Sequence, residues 1–286
     1  MKNLICASLI ILLVICSSCK NGNKKKESNS FKNLTEKTDT SAEVEDSIKE
    51  DSTEISVKPT KIDRSFDDFL YSFANNKRMQ MLRIEFPLTF VNNNKVTKIQ
   101  KEFWKFDRLF YKRPYYTMLF DRESELQGQH SGLRQAQFEW IYLRTGKIQE
   151  YNFKRKKTGA WTLQSINLHN ITSSDDENFF KFFYKFANDS TFQHSRIHEP
   201  ITYVTNDPDD DFAILTTTMD INQWVAWKIF LPKETLSNIN YGQTNRNDSA
   251  TKILCVKGQN AGNGYTLFFR RIGHTWQFYK YEDISN

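Results

Sequence analysis

Residues 66–91 read FDDFLYSFANNKRMQMLRIEFPLTFV, and residues 179–204 read FFKFFYKFANDSTFQHSRIHEPITYV. At an offset of 113, without a gap, twelve of 26 positions are identical. They are Phe66/Phe179, Phe69/Phe182, Tyr71/Tyr184, Phe73/Phe186, Ala74/Ala187, Asn75/Asn188, Gln80/Gln193, Arg83/Arg196, Ile84/Ile197, Pro87/Pro200, Thr89/Thr202 and Val91/Val204. Unrelated segments would share about two, so the chain carries a duplication. The far ends correspond as well: Phe153-Lys154-Arg155…Trp161 parallels Phe269-Arg270-Arg271…Trp276. A unit of roughly 110 residues is the size of a domain. The sequence therefore predicts two tandem domains, over residues 65–171 and 172–286.

Each unit reads helix first, then sheet. Phe66, Phe69, Leu70 and Phe73 fall at i, i+3, i+4 and i+7, one apolar helix face, and Phe179, Phe182, Phe183 and Phe186 repeat it. Ser174-Asp175-Asp176-Glu177 has the pattern of a capping box ahead of the second such helix. Pro87 and Pro200 are expected to end a second helical turn. Downstream, Ala136, Phe138, Trp140 and Tyr142 alternate with Gln135, Gln137 and Glu139, a strand pattern. Thr145-Gly146 and Thr158-Gly159 mark tight turns, and Gly258 to Gly264 a longer hairpin loop. The expected class is α+β: two tandem cone-like domains, each with N-terminal helices packed on a curved antiparallel sheet.

The 286 residues include 23 Phe, 12 Tyr and 6 Trp but only 10 Gly and 6 Pro, which excludes full-length disorder and collagen-like composition. The four cysteines divide by position. Leu4 to Cys16 is an apolar run of 13 residues after Met1-Lys2-Asn3. It is too short to span a ~30 Å hydrocarbon core and reads as a secretory leader over residues 1–18. Ser17-Ser18-Cys19 resembles the lipobox of bacterial lipoproteins, which implies diacylglyceryl attachment at Cys19. Cys16 is a rival attachment site, and an ordinary cleaved signal is the plainer reading. With Cys6 and Cys16 removed and Cys19 acylated, Cys255 stands alone in the mature chain. In Ile253-Leu254-Cys255-Val256 it is expected to be a buried strand thiol.

Residues 19–64 read as the acylated cysteine and a disordered tether. From residue 20 it holds ten basic and ten acidic groups. A flexible chain of this length reaches ~35–40 Å r.m.s.. Lys24-Lys25-Lys26 lies close enough to the anchor to touch anionic headgroups. Surface-displayed lipoproteins of the Bacteroidota usually carry an acidic cluster after the cysteine. Lys20-Asn21-Gly22-Asn23-Lys24 departs from that, which points to an outer-membrane anchor facing the periplasm. Asp46-Ser47-Ile48, Asp51-Ser52-Thr53, Asp189-Ser190-Thr191 and Asp248-Ser249-Ala250 resemble the O-glycosylation triplets of the same bacteria.

Two helices followed by a curved sheet closing on Gly-x-Trp resembles the nuclear-transport-factor-2-like cone fold. The lipobox with tandem Phe-x-x-Phe…Phe-Ala-Asn…Arg-Ile-x-x-Pro resembles a Bacteroidota lipoprotein family, domain of unknown function 4348, over about residues 60–286. The resemblance implies a fold and little function, because the cone hosts isomerases, dehydratases, hydrolases and binding modules. Enzymes on it usually place an Asp–His or Tyr–Asp pair inside the cone, and no such pair is matched here.

No other catalytic pattern is present: there is no Gly-rich phosphate loop, Gly-x-Ser-x-Gly, His-Glu-x-x-His or Cys-x-x-Cys. His194 and His198 are four apart but lack a third ligand, and their counterparts are Met81 and Glu85, so the duplication does not preserve the pair. Asp207-Pro208-Asp209-Asp210-Asp211 lacks the glycine and bidentate Glu of a calcium loop. No metal or cofactor is expected.

The candidate binding residues are the duplicated Gln80, Gln193, Arg83 and Arg196, where each Arg either grips a carboxylate or glycan or ties its helix to the sheet. Trp140 with Tyr142 and Trp224 with Trp227 are candidate aromatic clefts. Lys154-Arg155-Lys156-Lys157 is a basic patch in a first half that carries +8 beside a second half at −3. An exported chain of this charge suits a membrane surface, an acidic glycan or an envelope protein rather than nucleic acid. The expected function is non-catalytic binding of a small ligand, glycan or partner. An enzyme with one active cone and an envelope scaffold are the alternatives.

Overall fold

The computed structural model describes residues 58–127, 132–227, 231–243, 248–259 and 264–283, without the side chains of residues 211, 212 and 227. The expected leader, lipobox and most of the tether lie outside the described residues. The fold begins earlier than residue 65: Lys61–Arg64 is a short 3-10 turn, and Asp63 within it is buried.

The two halves match strand for strand, each behind a pair of helices. Helix α1 (Phe66–Asn75) and α2 (Lys77–Leu82) precede strands β1 (Ile84–Asn92), β2 (Lys95–Ile99), β3 (Tyr115–Phe120), β4 (Gln135–Tyr142), β5 (Lys147–Arg155) and β6 (Trp161–Asn170). Helix α3 (Glu177–Asn188) and α4 (Ser190–His194) precede β7 (Ile197–Asp207), β8 (Asp210–Met219), a short α5 (Ile221–Trp227), β9 (Thr235–Asn240), β10 (Thr251–Gly258), β11 (Gly264–Ile272) and β12 (Thr275–Asp283). The caps repeat too. Asn76 accepts the Met79 N–H at 3.0 Å to start α2, and Asp189 accepts that of Phe192 at 2.9 Å to start α4.

Each helix pair buries its phenylalanine stripe on one aromatic ring of the sheet. Phe153 meets Phe66, Phe69 and Phe73 edge-on at 5.5, 5.6 and 5.1 Å. Phe269 meets Phe179, Phe182 and Phe186 at 5.4, 5.7 and 5.4 Å. Such pairs add about 0.5–1.5 kcal/mol each beyond area burial.

Two local expectations are corrected. Pro87 and Pro200 do not end helices; they sit inside β1 and β7, where the ladders to β6 and β12 break register. A residue without an N–H is tolerated in a strand where the ladder is interrupted. The capping box lies two residues earlier than predicted, between Thr172 and Asp175, and opens the 3-10 turn Ser173–Asp175. Asp176 then starts α3 in the left-handed region, with its carboxylate turned to another use.

The two halves do not keep separate sheets. All twelve strands form one sheet, ordered β2-β1-β6-β5-β4-β9-β3-β10-β11-β12-β7-β8. In a self-contained copy β3 would pair with β4, and β9 with β10. Instead β9 of the second half pairs with β4 of the first, and β3 pairs with β10. The halves have exchanged equivalent strands, and residues 54–286 form one compact unit.

β3 and β9 meet in parallel at Thr117 and Asn238. Equivalent strands lying parallel are related by rotation about an axis along them, which turns one sheet face into the other. The two cores accordingly lie on opposite faces. Met118, Phe138, Ile253 and Cys255 face the core of α1, while Ile141, Leu236, Leu254 and Val256 face that of α3. The central strands are buried on both sides, which is why Ile253-Leu254-Cys255-Val256 is continuously apolar. Burial pushes the Cys255 thiol pKa up.

Candidate functional site

At one end of the first core, β4, β5 and β9 and the segment before β3 line an open pocket of about 410 Å³, formed by Asp107, Lys112, Arg113, Trp140, Tyr142, Gln149, Tyr151 and Thr235. Thr235 comes from the exchanged strand β9, opposite Tyr142 of β4. The mouth of the first half is thus completed by the second.

The segment from Trp104 to Arg113 is held by Gln80. This fully buried amide donates to the carbonyls of Phe73 (2.9 Å) and Asp107 (2.7 Å) and accepts from Trp104 Nε1 (2.9 Å) and the Asp107 N–H (3.0 Å). All four of its bonding positions are filled. Leu109 is buried with φ +44°, a left-handed conformation that costs a non-glycine residue about 1–2 kcal/mol. Its N–H reaches Asp107 Oδ1 at 3.1 Å. The Gln259 side chain, from the end of β10, holds the carbonyl of Arg113.

The Asp107 carboxylate is fully engaged. Tyr151 donates its hydroxyl to Oδ2 at 2.6 Å, and Lys112 Nζ lies 2.6 Å from Oδ1. Gln149 in turn donates to the Tyr151 oxygen at 2.8 Å. Burial first, and the Asp107 charge second, push the Tyr151 hydroxyl far above its ordinary pKa, so it stays a proton donor fixed on Asp107. Tyr151 and Asp107 thus form a Tyr–Asp pair that the sequence pattern does not single out. Its members are 44 residues apart, one in a loop and one in a strand.

The residues that line this mouth are not repeated at the matching strand positions of the second half. The β4–β5 and β10–β11 ladders superpose at an offset of 116, since Trp140 faces Gln149 as Val256 faces Tyr265. Trp140, Tyr142 and Tyr151 are replaced by Val256, Gly258 and Leu267, and Val256 and Leu267 are buried in the second core.

Of the predicted site residues, Trp140 and Tyr142 come together at the mouth. Gln80 lies behind it as a positioning residue. Gln193 makes the matching bonds in the second half, to the Phe186 carbonyl (2.9 Å) and from Trp224 Nε1 (3.3 Å). Trp224 is fully buried against Phe278, so it lines a core rather than a cleft, and the side chain of Trp227 lies outside the described part.

Arg83 is buried and forks onto Asp63 at 3.0 and 2.8 Å, with a further bond to the Trp161 carbonyl at 3.3 Å. Arg196 makes no ion pair among the described residues and stacks on Phe192 at 5.2 Å. The basic patch is partly structural. Arg155 binds the carbonyls of Gly159 and Asp63, both at 2.9 Å, and Lys156 pairs with Glu85 at 2.9 Å, whereas Lys154 and Lys157 point to solvent. Among the described residues no group of three His, Cys, Asp or Glu side chains gathers as a metal site would need.

A helix pair on a curved sheet, with a polar mouth at the open end, defines an α+β cone of the nuclear-transport-factor-2-like class. The comparison with solved structures agrees: an NTF2-like protein from Bacteroides fragilis NCTC 9343 is 46% identical, with a TM-score of 0.75 over 80% of this chain and all of that one. The family described as domain of unknown function (DUF4348) matches residues 44–283, and the chain belongs to it. No curated protein matches the chain.

Proposed function

We propose that the chain is a lipid-anchored cell-envelope protein that binds a small ligand, without catalysis, in the mouth of its first half. The observation that carries this reading is the engagement of Asp107. A carboxylate that already accepts from an ammonium, a tyrosine hydroxyl and a backbone N–H is occupied by the protein's own donors, and its neighbouring phenol has committed its proton to it. What remains is a rigid lining of aromatic wall and polar groups, the make-up of a recognition pocket. The second half, with aliphatic residues at the equivalent positions, serves as scaffold. Tyr142→Ala and Gln149→Ala should abolish the response of the purified protein to a small-molecule thermal-shift array while leaving its own melting temperature nearly unchanged. Array responses that survive both substitutions would count against this mouth.

A second reading makes the mouth an isomerase- or hydrolase-like active site, and the Tyr151–Asp107 pair favours it. Turnover lost in both Tyr151→Phe and Asp107→Asn would establish that reading in place of the first.

The anchor belongs to the same proposal. Cys19 carries the lipid, and the domain faces the periplasm from the outer membrane. Metabolic labelling with an alkyne fatty acid should mark the wild-type chain and not Cys19→Ser. Protease added to intact cells should spare the domain.

A further inference from the structure

We infer that the ligand of this mouth is a small ring-bearing carboxylate, received by Arg113; this rests on the binding reading above. The mouth holds two cations and one anion. Lys112 and Asp107 neutralise each other at 2.6 Å. Arg113 is left over: it has no carboxylate partner among the described residues, and its side chain hydrogen-bonds only the neutral hydroxyl of Tyr115 among the groups that sense it. Its charge also reaches Tyr142, whose ionised form it favours against the dominant effect of burial. An arginine beside an aromatic wall, with its own acid absent, is an unfilled half of an ion pair.

The placement of Arg113 is built rather than incidental. Its N–H bonds the Phe110 carbonyl at 2.8 Å, and Gln259 holds its own carbonyl. Pro114 follows, and Leu109 is forced into the left-handed region just ahead. A planar guanidinium fixed at its root presents two parallel N–H bonds, the match for a carboxylate. Opposite it, Tyr142 and Trp140 offer ring surface, and Gln149 offers an amide for a hydroxyl or second oxygen. A volume of about 410 Å³ is room enough for one ring with its acid. Acidic sugars and aromatic acids share this chemistry.

Two matched probe pairs separate the sources: galacturonate against galactose, and benzoate against benzyl alcohol. Binding to residues 58–286 is read by calorimetry and by the Trp140 indole N–H resonance, assigned with Trp140→Phe. The expected result is that one carboxylate shifts that resonance and binds at least tenfold tighter than its neutral partner. Arg113→Gln should remove the tenfold preference, and Arg113→Lys should restore only part of it, with the melting temperature of both variants unchanged. Neutral partners that bind as well as the acids overturn the carboxylate assignment and leave the binding mouth standing. Inorganic phosphate binding as tightly as either acid overturns the assignment too. If none of the probes moves the Trp140 resonance at millimolar concentration, the assignment falls. Carboxylate binding that Arg113→Gln does not weaken places the acid elsewhere and also overturns it.

Discussion

Lys252 of β10 lies fully buried between two acids of different halves, 2.5 Å from Asp121 at the end of β3 and 2.7 Å from Asp176 ahead of α3. It is a rivet at the strand exchange. Burial raises the Asp176 pKa, and Lys252 opposes that rise. Lys252→Met leaves two buried carboxylates without their cation, so it should cost about 3–5 kcal/mol, read as a lower urea midpoint at pH 7. A loss below 1 kcal/mol would show that the triad is solvated.

Asp63 and Asp176 correspond at the offset of 113, yet they take different cations. Burial alone would raise the Asp63 pKa. The hydrogen bonds from Arg83, Thr60 and Trp161 and the Arg83 charge outweigh it, and the carboxyl sits below its usual range. The stabilisation is therefore complete above about pH 4 and is lost as the pH falls through the lowered value. Arg83→Met should cost about 3–5 kcal/mol at pH 7. Arg196→Met, which breaks a contact with one ring, should cost under about 1 kcal/mol. Equal losses would contradict the asymmetry.

Glu139 on β4 is buried and accepts the side-chain amides of Asn238 (2.8 Å) and Asn240 (3.0 Å) from the exchanged β9. Burial, only partly offset by these bonds, pushes its carboxyl from 4.5 up to about 7, with Glu150 and Asp175 adding to the rise. The folded state thus holds a proton that the unfolded state releases, and stability falls as the pH rises from about 4.5 to 7. Glu139→Gln should flatten that part of the stability curve and gain on the order of 2–3 kcal/mol over wild type at pH 8. A wild-type curve with no fall in this window would refute the assignment.

Because β9 pairs with β4 and β3 with β10, neither half should fold alone. Residues 58–171 expressed by themselves should lack a dispersed NMR spectrum as a monomer, and adding residues 172–286 should restore it. The intact chain should unfold in one transition. Two separated transitions would mean that the cores are independent despite the exchange.

The helices and their buried faces were legible because a phenylalanine stripe at i, i+3, i+4 and i+7 has one reading. The duplication was legible for the same reason, since both copies need that stripe. The exchange of β3 and β9 was not, because each strand pairs by its backbone, and the alternation of side chains is alike for either neighbour. The mouth escaped for the opposite cause. Searching the positions that the copies share leads to Gln80 and Arg83, which hold the fold together. Asp107, Tyr151 and Arg113 lie where the copies differ. The one legible trace was the contrast of Trp140 and Tyr142 with Val256 and Gly258 at matching strand positions.

A swapped homodimer of one such half would build the same twelve-stranded sheet from two identical chains. Its partners would separate on dilution, and any mutation would alter both mouths together. Joining the halves between β6 and α3 removes both constraints. The effective concentration of one half for the other becomes a fixed property of the chain. One half can then keep Trp140 and Tyr142 where its twin has Val256 and Gly258, a divergence that two identical chains could not make.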